Sequence, residues 1–182
     1  MSKQFRLPRL ARRFAGDARG VSAVEFALVL PLMMTLYLGG TEISQAISAS
    51  RKATLVSRTV ADLTSQSASI SASQMTNILN ASSAVMSPFP SNNLKVTVSQ
   101  VKIDANGAAK IEWSETLSGS KRAVGSAVAL PAALVAPNTF LIWTEAEYNY
   151  QPTIGYALSG NLALKDQMYM RPRLSESVKY PS

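Results

Sequence analysis

Few residues in this chain could carry catalytic chemistry, because its 182 residues include neither cysteine nor histidine. This composition excludes cysteine–zinc sites, histidine-ligated haem, disulfides and any triad with a histidine base. Among the titratable residues that remain, Glu25 has the most unusual position, five residues after Gly20 and at the head of a long apolar run. A charge at the threshold of lipid is costly, so Glu25 needs a specific role.

A second short motif, Ser118–Lys121, is similar to part of a phosphate-binding loop. It lacks the first glycine of such a loop and the Ser or Thr that follows the lysine, so we interpret it as a polar loop. A membrane-tethered hydrolase that uses Ser with Lys, or a pair of carboxylates, is a rival function, but we expect neither a GxSxG nor a Ser-x-x-Lys nucleophile motif to support it. We therefore predict no enzymatic activity, no metal site and no cofactor.

Positive charge is concentrated at the amino terminus. Residues 1–20 carry six Lys or Arg, including Arg12, Arg13 and Arg19, against Asp17 alone, and so hold most of the net charge of +7. The rest of the chain is almost balanced and has no basic stripe, which argues against a nucleic-acid partner. A basic segment directly before an apolar one is typical of a cytoplasmic anchor on anionic lipid.

The run Val21–Gly40 is long enough to cross a membrane once. Twenty helical residues span about 30 Å at about 1.5 Å per residue, which matches the hydrocarbon core of a bilayer. Basic residues precede this run and none lies in the ten residues after it. We therefore expect a single-pass protein of a bacterial inner membrane, with its amino end in the cytoplasm and its carboxyl-terminal part in the periplasm.

Three interpretations of this segment remain open. It could be a cleavable secretory signal, for which Ala46–Ser48 offers a small-x-small cleavage site. It could also be an uncleaved single-pass anchor that carries a periplasmic binding domain. In the third interpretation the chain is cut before the apolar run, between Gly20 and Val21. Only the third interpretation gives Glu25 a role.

The residues around this junction resemble a known type of processing site. Gly20 ends a basic leader, Glu25 is the fifth residue after the junction, and Phe26 starts an apolar run. This pattern resembles the prepilin-peptidase site of type IV pilin-like proteins. The segment AVEFALVLP resembles the TadE-like pseudopilins of the tight-adherence (Tad/Flp) pilus system. Two carboxyl-terminal segments, Tyr148–Pro152 and Met170–Arg173, are weakly similar to the carboxyl-terminal ends of that family's members.

The resemblance implies that a separate enzyme, a membrane aspartyl protease, cuts between Gly20 and Val21. A glycine at this position would let the peptidase approach the backbone closely. The cut creates an α-amino group, which is mostly cationic at neutral pH. Three arginines would hold the junction at the cytoplasmic face: Arg12, Arg13 and Arg19.

Similarity to pilins also implies that Glu25 of one subunit faces the amino terminus of its neighbour. The pair would act as a register device, because a misaligned neighbour leaves a charge unpaired in lipid. Phe26 belongs to the same recognition segment. The alternative for Glu25 is an interfacial carboxylate that reaches the lipid headgroups.

We predict an α+β, pilin-like fold with three parts: a leader over residues 1–20, a membrane-spanning and stalk helix over 21–65, and an exported head over 66–182. Pro31 should bend or loosen the helix. The apolar face of the stalk is predicted to pack on the head through its large side chains, namely Ile43, Ile47, Val56, Val60 and Leu63.

The head is predicted to contain one further helix and a small antiparallel sheet. We expect a helix from an N-cap at Ser73 to Met86, a hairpin of Leu94–Ile103 and Lys110–Leu117 around the turn Asp104–Gly107, and a strand over Thr139–Thr153. Ile111 and Trp113 should share one face of the hairpin. A loop or short helix over Tyr156–Asp166 and an edge strand over Met168–Leu174 should complete the head.

These features favour a minor pseudopilin that is processed by a prepilin peptidase and is needed to assemble or prime a Tad pilus for surface attachment. Its expected partners are the peptidase, other pilins or pseudopilins, the inner-membrane assembly platform and membrane lipid. No nucleic acid or small-molecule substrate is expected. The alternative is the uncleaved anchor with a periplasmic interaction domain.

Overall fold

One long helix runs through the apolar segment and continues into the head. The computed structural model describes residues 18–152, 155 and 160–181. Helix α1 (Ala18–Ser65) contains Pro31 in its interior, so the continuous helix predicted over 21–65 is present and begins three residues earlier. Thr35 donates its hydroxyl to the carbonyl of Pro31 at 2.8 Å, one turn back along the same helix.

The N-cap of the second helix, α2 (Ala72–Met86), lies two residues before the predicted cap. The cap is Ser71 and not Ser73. The backbone N–H of Gln74 donates to the Ser71 hydroxyl, and the N–H of Ser71 donates to the Gln74 side chain at 2.8 Å. This reciprocal pair is a capping box, and only Ser71 has a Gln three residues later to complete it.

The head contains a four-stranded antiparallel sheet in the order β2-β1-β3-β4. Its strands are β1 (Leu94–Ile103), β2 (Ala109–Leu117), β3 (Thr139–Tyr150) and β4 (Leu162–Met170). The α+β arrangement of a long amino-terminal helix on a small antiparallel sheet is confirmed. The predicted last strand, Met168–Leu174, is wrong, because the partner of β3 already begins at Leu162, opposite Tyr150.

The β1–β2 hairpin forms at the predicted turn, but a bulge changes which residues of β2 lie on the same face of the sheet. The Asp104 carboxylate accepts the N–H groups of Asn106 and Ala108 at 2.8 and 2.9 Å, and Gly107 has φ +82°. Gln100 pairs with Trp113 while Val101 pairs with Ile111, so β2 has one extra residue. Ile111 and Trp113 therefore pack in different clusters, and their predicted common face is wrong.

The sheet is covered on both faces. Helix α1 packs on β3 and β4, and α2 lies against α1 and the other two strands. On the far face, residues of the connection between β2 and β3 cover a smaller apolar cluster that includes Val101, Ile103, Leu141 and Trp143. The carboxyl-terminal tail closes the helix side, where Val178 is fully buried and accepts the indole N–H of Trp113 at 3.0 Å.

The face that α1 turns to the head differs from the predicted one. Val56 and Val60 are fully buried as expected, but Ile43, Ile47 and Leu63 are 50%, 49% and 38% exposed. Their places against the head are taken by small residues: Ala46, Ala49 and Ala53. Alanine allows the sheet to approach the helix axis closely, so the large side chains stay outside the head.

Candidate assembly surface on the amino-terminal helix

The amino-terminal half of α1 stands free of the head. From Val21 to Tyr37 every side chain is exposed, and burial begins around Leu38. The exposed large apolar side chains in this half are Val21, Val24, Phe26, Leu28, Val29, Leu30, Leu32, Met33, Met34, Leu36 and Tyr37. By length and composition this helix can cross a membrane. Such a surface is compatible with a single-pass anchor, because lipid can cover side chains that the protein leaves in the open.

Glu25 lies on a row of exposed apolar residues that runs along α1. The row, which we call the 25–47 stripe, consists of Glu25, Val29, Leu32, Leu36, Ile43 and Ile47. Their spacings of 4, 3, 4, 7 and 4 residues keep them on one helix face. The ion pairs found among the described residues all lie at or beyond Asp62, so Glu25 is in none of them.

The Gly20–Val21 bond lies in the first turn of α1, close to its start at Ala18. A Cβ built on Gly20 would meet no atom within 4 Å, so packing within the described residues does not require glycine there. Arg12 and Arg13 lie outside the described residues, as does the side chain of Arg19.

Phe26, the last of the predicted recognition residues, is 61% exposed directly after Glu25. It lies about 100° around the helix from Glu25 and so beside the stripe, not on it. The structure thus brings together the residues at the predicted junction on one exposed stretch of helix.

Comparison with known families concerns this same helix. Residues 20–62 match the family model described as TadE-like protein. Over these residues the chain is TadE-like. The match begins at Gly20 and ends at Asp62, so it covers most of α1 and none of the sheet. No curated protein and no solved structure matches the chain.

The TadE-like segment confirms the resemblance that the residues around Glu25 indicated. It also indicates involvement in a Tad pilus system, since that family is pilus-associated. The family is structural and not catalytic, which agrees with the prediction of a non-enzymatic protein.

The TadE-like segment contains a second glutamate, Glu42, that sequence reasoning did not single out. Only 2% of Glu42 is exposed, at the level where α1 first meets the head. Burial, and then the negative charge of Glu42, raise the pKa of Tyr150, so these two buried residues lie close enough to interact. The sequence signal for Glu42 is its place two residues after Gly40, where the apolar run ends.

Outside the TadE-like segment, the head has a polar cleft on the sheet face away from α1. Its volume is about 610 Å³, and Lys95, Arg122, Glu145, Glu147 and Lys165 are among its lining residues. Arg122 binds both oxygens of Glu145, at 2.9 and 2.6 Å. Glu147 lies between Lys165 at 3.2 Å and Lys95 at 3.4 Å.

The charges of this cleft neutralise one another. A hydrogen bond from Lys165, and then its charge and that of Lys95, lower the pKa of Glu147. Glu145 raises the pKa of Arg122 through its hydrogen bonds and its charge. Glu147 therefore stays ionised and cannot serve as a general acid near neutral pH. Glu145 and Glu147 are thus both held in ion pairs with basic side chains of the cleft.

The polar loop predicted at Ser118–Lys121 is present and contains a spacing that sequence reasoning missed. Ser118 and Lys121 have the Ser-x-x-Lys spacing of a serine nucleophile with a lysine base. However, the Lys121 ammonium lies 2.7 Å from the carboxylate of Glu115. The lysine of this motif is therefore engaged in an ion pair with Glu115.

Arg173, in the carboxyl-terminal tail, joins this tail to α1. Its guanidinium lies 2.6 Å from the Asp62 carboxylate, and its backbone N–H donates to the carbonyl of Ser65 at 2.8 Å. The bond to Ser65 gives a partner to one of the carbonyls that the end of a helix leaves free. Arg173 therefore fixes the distal end of α1 and is not part of the assembly surface.

Proposed function

We propose that this chain is a minor pseudopilin of a Tad pilus. It is a non-enzymatic, membrane-inserted subunit that a prepilin peptidase cuts between Gly20 and Val21, and it takes part in assembling or priming the pilus for surface attachment. One observation carries this proposal: the TadE-like match begins at Gly20 and coincides with a helix that leaves Glu25 and a continuous apolar surface exposed.

The exposed helix supports assembly because a folded head normally buries its apolar side chains. Here the head is complete without the amino-terminal half of α1, which contributes nothing to the core. The free half is available first to lipid and then to other helices of the same kind. The head of more than 100 residues favours a minor role, since its bulk hinders close repetition.

Orientation follows from the charge distribution around the same helix. The leader before Val21 is basic, whereas the stretch from Thr41 to Ser50 carries no basic residue. The amino end stays in the cytoplasm and the head is in the periplasm, or outside the cell when the subunit enters a pilus. The peptidase, other pilins, the assembly platform and lipid are the partners of this arrangement.

The junction can be tested by mass spectrometry of the chain purified from cells that contain the peptidase. We expect the native protein to begin at Val21. Gly20→Leu should retain Met1, because a large side chain keeps the peptidase from the backbone. Ala23→Leu is the matched control, since it adds the same bulk three residues away on an exposed position, and it should be processed normally.

Assembly provides the second readout. Glu25→Ala should be processed at Val21 but should be depleted from sheared pili, because the new amino terminus of a neighbour loses its partner in lipid. An intact Met1 in cells with an active peptidase would contradict the proposal and favour the uncleaved anchor with an interaction head. A chain that begins near Ala49 would instead identify an ordinary secretory signal.

A further inference from the structure

Strand β4 forms an open edge of the sheet. It has nine residues and pairs with β3 in an unbroken register from Leu162 to Met170, without the bulge found in the β1–β2 pair. Among the described residues, no backbone hydrogen bond joins β4 to any segment other than β3. In an antiparallel pair, every second residue of an edge strand turns its N–H and C=O groups away from its partner. These groups are available to a further strand.

The opposite edge of the sheet is partly covered by the chain itself. On β2, the N–H of Ile111 donates to the carbonyl of Ser126 at 3.0 Å, and its carbonyl accepts the N–H of Gly125 at 2.8 Å. Segment 125–128 therefore lies along the start of β2 and pairs with it. Within the described parts of the chain, β4 has no cover of this kind.

The charged residues of β4 do not prevent a strand from pairing with it. Charges on edge strands often oppose such pairing. However, Lys165 lies 3.2 Å from the carboxylate of Glu147, and Asp166 accepts the hydroxyl of Ser57 at 2.7 Å on the face that carries α1. Both charges already have partners on neighbouring elements of the head, so covering the edge would leave neither of them unpaired.

The polar cleft opens beside the same edge. Its volume of about 610 Å³ can hold a side chain of a partner, and Lys165 and Gln167 of β4 are among its lining residues. Recognition by strand addition combines these two features, because main-chain hydrogen bonds give affinity and a pocket for a side chain gives specificity. The edge of β4 and the cleft thus form one binding surface, which we call the β4 surface.

The charges of the cleft favour an acidic side chain from the partner. Glu147 serves two lysines, Lys165 at 3.2 Å and Lys95 at 3.4 Å. The other basic residues of the lining, Lys121 and Arg122, each have a carboxylate of their own. One carboxylate thus faces two ammonium groups beside β4. A further carboxylate next to Lys165 would gain a charge-assisted hydrogen bond, whereas an ammonium group would be repelled.

Strand direction argues against a second copy of this chain as the partner. Helix α1 and β4 run the same way, since Ser57 contacts Asp166 and Ser65 contacts Arg173 further along both. A symmetric antiparallel pair of β4 strands needs a two-fold axis perpendicular to the sheet. It would point the second α1 in the opposite direction, whereas copies in one membrane share their direction. Segment 125–128 also covers part of the β2 edge in any second copy.

We propose that β4 binds an extended, acidic segment of a different protein by strand addition, with one carboxylate of that segment in the cleft beside Lys165. On the other face of the strand, the half-buried side chains of Leu164 and Met168 pack on apolar residues of the segment. The inference does not depend on cleavage at Gly20, because the amino-terminal half of α1 contributes nothing to the core of the head.

Synthetic peptides test the edge and the charge separately. The probe is a fluorescent peptide of alternating valine and threonine with one glutamate at its centre, titrated with the full-length chain in detergent. We expect it to bind about tenfold more tightly than the same peptide with glutamine, because only glutamate makes the charge-assisted hydrogen bond to Lys165. A glutamate peptide with all its backbone amides methylated should not bind. Equal binding of the glutamate and glutamine peptides would contradict the acidic preference.

A variant of β4 locates the carboxylate. Lys165→Gln should reduce the preference for glutamate from about tenfold to less than about twofold, since Glu147 and Lys95 then balance each other. The lysine is largely exposed, so the head keeps its fold. Lys110→Gln removes an exposed lysine from β2 and should leave the preference unchanged. A preference that survives Lys165→Gln, or is lost equally in both variants, would overturn the assigned position.

Hydrogen exchange shows which edge the peptide occupies. The bound glutamate peptide should slow amide exchange severalfold in residues 162–170 and leave residues 109–117 unchanged. Protection of residues 109–117 alone would overturn the inference. Protection of residues 162–170 by raised chain concentration without peptide would do so too, because it would identify a second copy as the partner. Chains that begin at Met1 and at Val21 should bind the peptide equally, so this result is independent of processing.

Discussion

The two halves of α1 share one helix and differ in what covers them. Between Val21 and Tyr37 the large apolar side chains are exposed, whereas between Glu42 and Val60 the helix buries a row of alanines and valines against the head. Small side chains allow close packing on a sheet, and large ones supply area to lipid or to another helix. Side-chain size thus distinguishes the face of α1 that packs on the head from the face that the head leaves exposed.

A newly introduced charge should give the largest difference in unfolding free energy between a buried and an exposed position of α1. Val60→Asp should lower the free energy of unfolding of the head by about 3–5 kcal/mol, because the carboxylate is buried without a partner. Leu63→Asp, three residues on and 38% exposed, should cost less than about 1 kcal/mol. Urea unfolding followed by the fluorescence of Trp113 and Trp143 measures both variants, and equal losses would contradict the assigned faces.

A smaller effect should follow from a change of volume. Ala53→Leu should cost about 1–3 kcal/mol, because the sheet leaves no room for the added carbons. Leu55→Ala removes a larger apolar group from the same turn but from an exposed position. It should change the unfolding free energy by no more than about 0.5 kcal/mol. The opposite ranking in thermal or urea unfolding would show that the head does not depend on close packing of α1.

The smallest expected effect is a shift in the pKa of Tyr150, and it distinguishes the two glutamates of the TadE-like segment. Glu42→Gln should lower the pKa of Tyr150, because it removes the negative charge that raises this pKa in addition to burial. Glu25→Gln should leave tyrosine titration unchanged, since Glu25 stands far along the helix from the head. Ultraviolet titration, with Tyr150→Phe to identify the signal, distinguishes them, and an unchanged curve for Glu42→Gln would contradict the contact.

Local patterns were sufficient to predict much of the fold. The capping residues and periodicity of α2, the hairpin turn at Asp104–Gly107 and the length of α1 depend on neighbouring residues, and each was close to its observed position. The TadE-like resemblance around Gly20 and Glu25 was also recognisable, because the spacing of these residues between a basic segment and an apolar run is local. The TadE-like match begins at the same glycine.

The predictions from sequence failed where contacts between residues far apart in the chain decide the structure. The bulge opposite Gln100 separated Ile111 from Trp113, and no signal within β2 marks it. The start of β4 at Leu162 was missed because the pairing with Tyr150 on β3 defines it. Arg173 gained a role only when the tail returned to Asp62 at the end of α1.

By itself, the sequence determined that this chain has a basic leader, a membrane-length helix with an acidic residue at its head, and no cysteine or histidine chemistry. These properties depend on composition and on spacing along one helix. Only the tertiary structure decided which side of that helix packs on the head. The sheet approaches this helix so closely that alanine side chains fit between them, whereas isoleucine side chains stay outside. The exposure of Ile43, Ile47 and Glu25 on one stripe is the consequence.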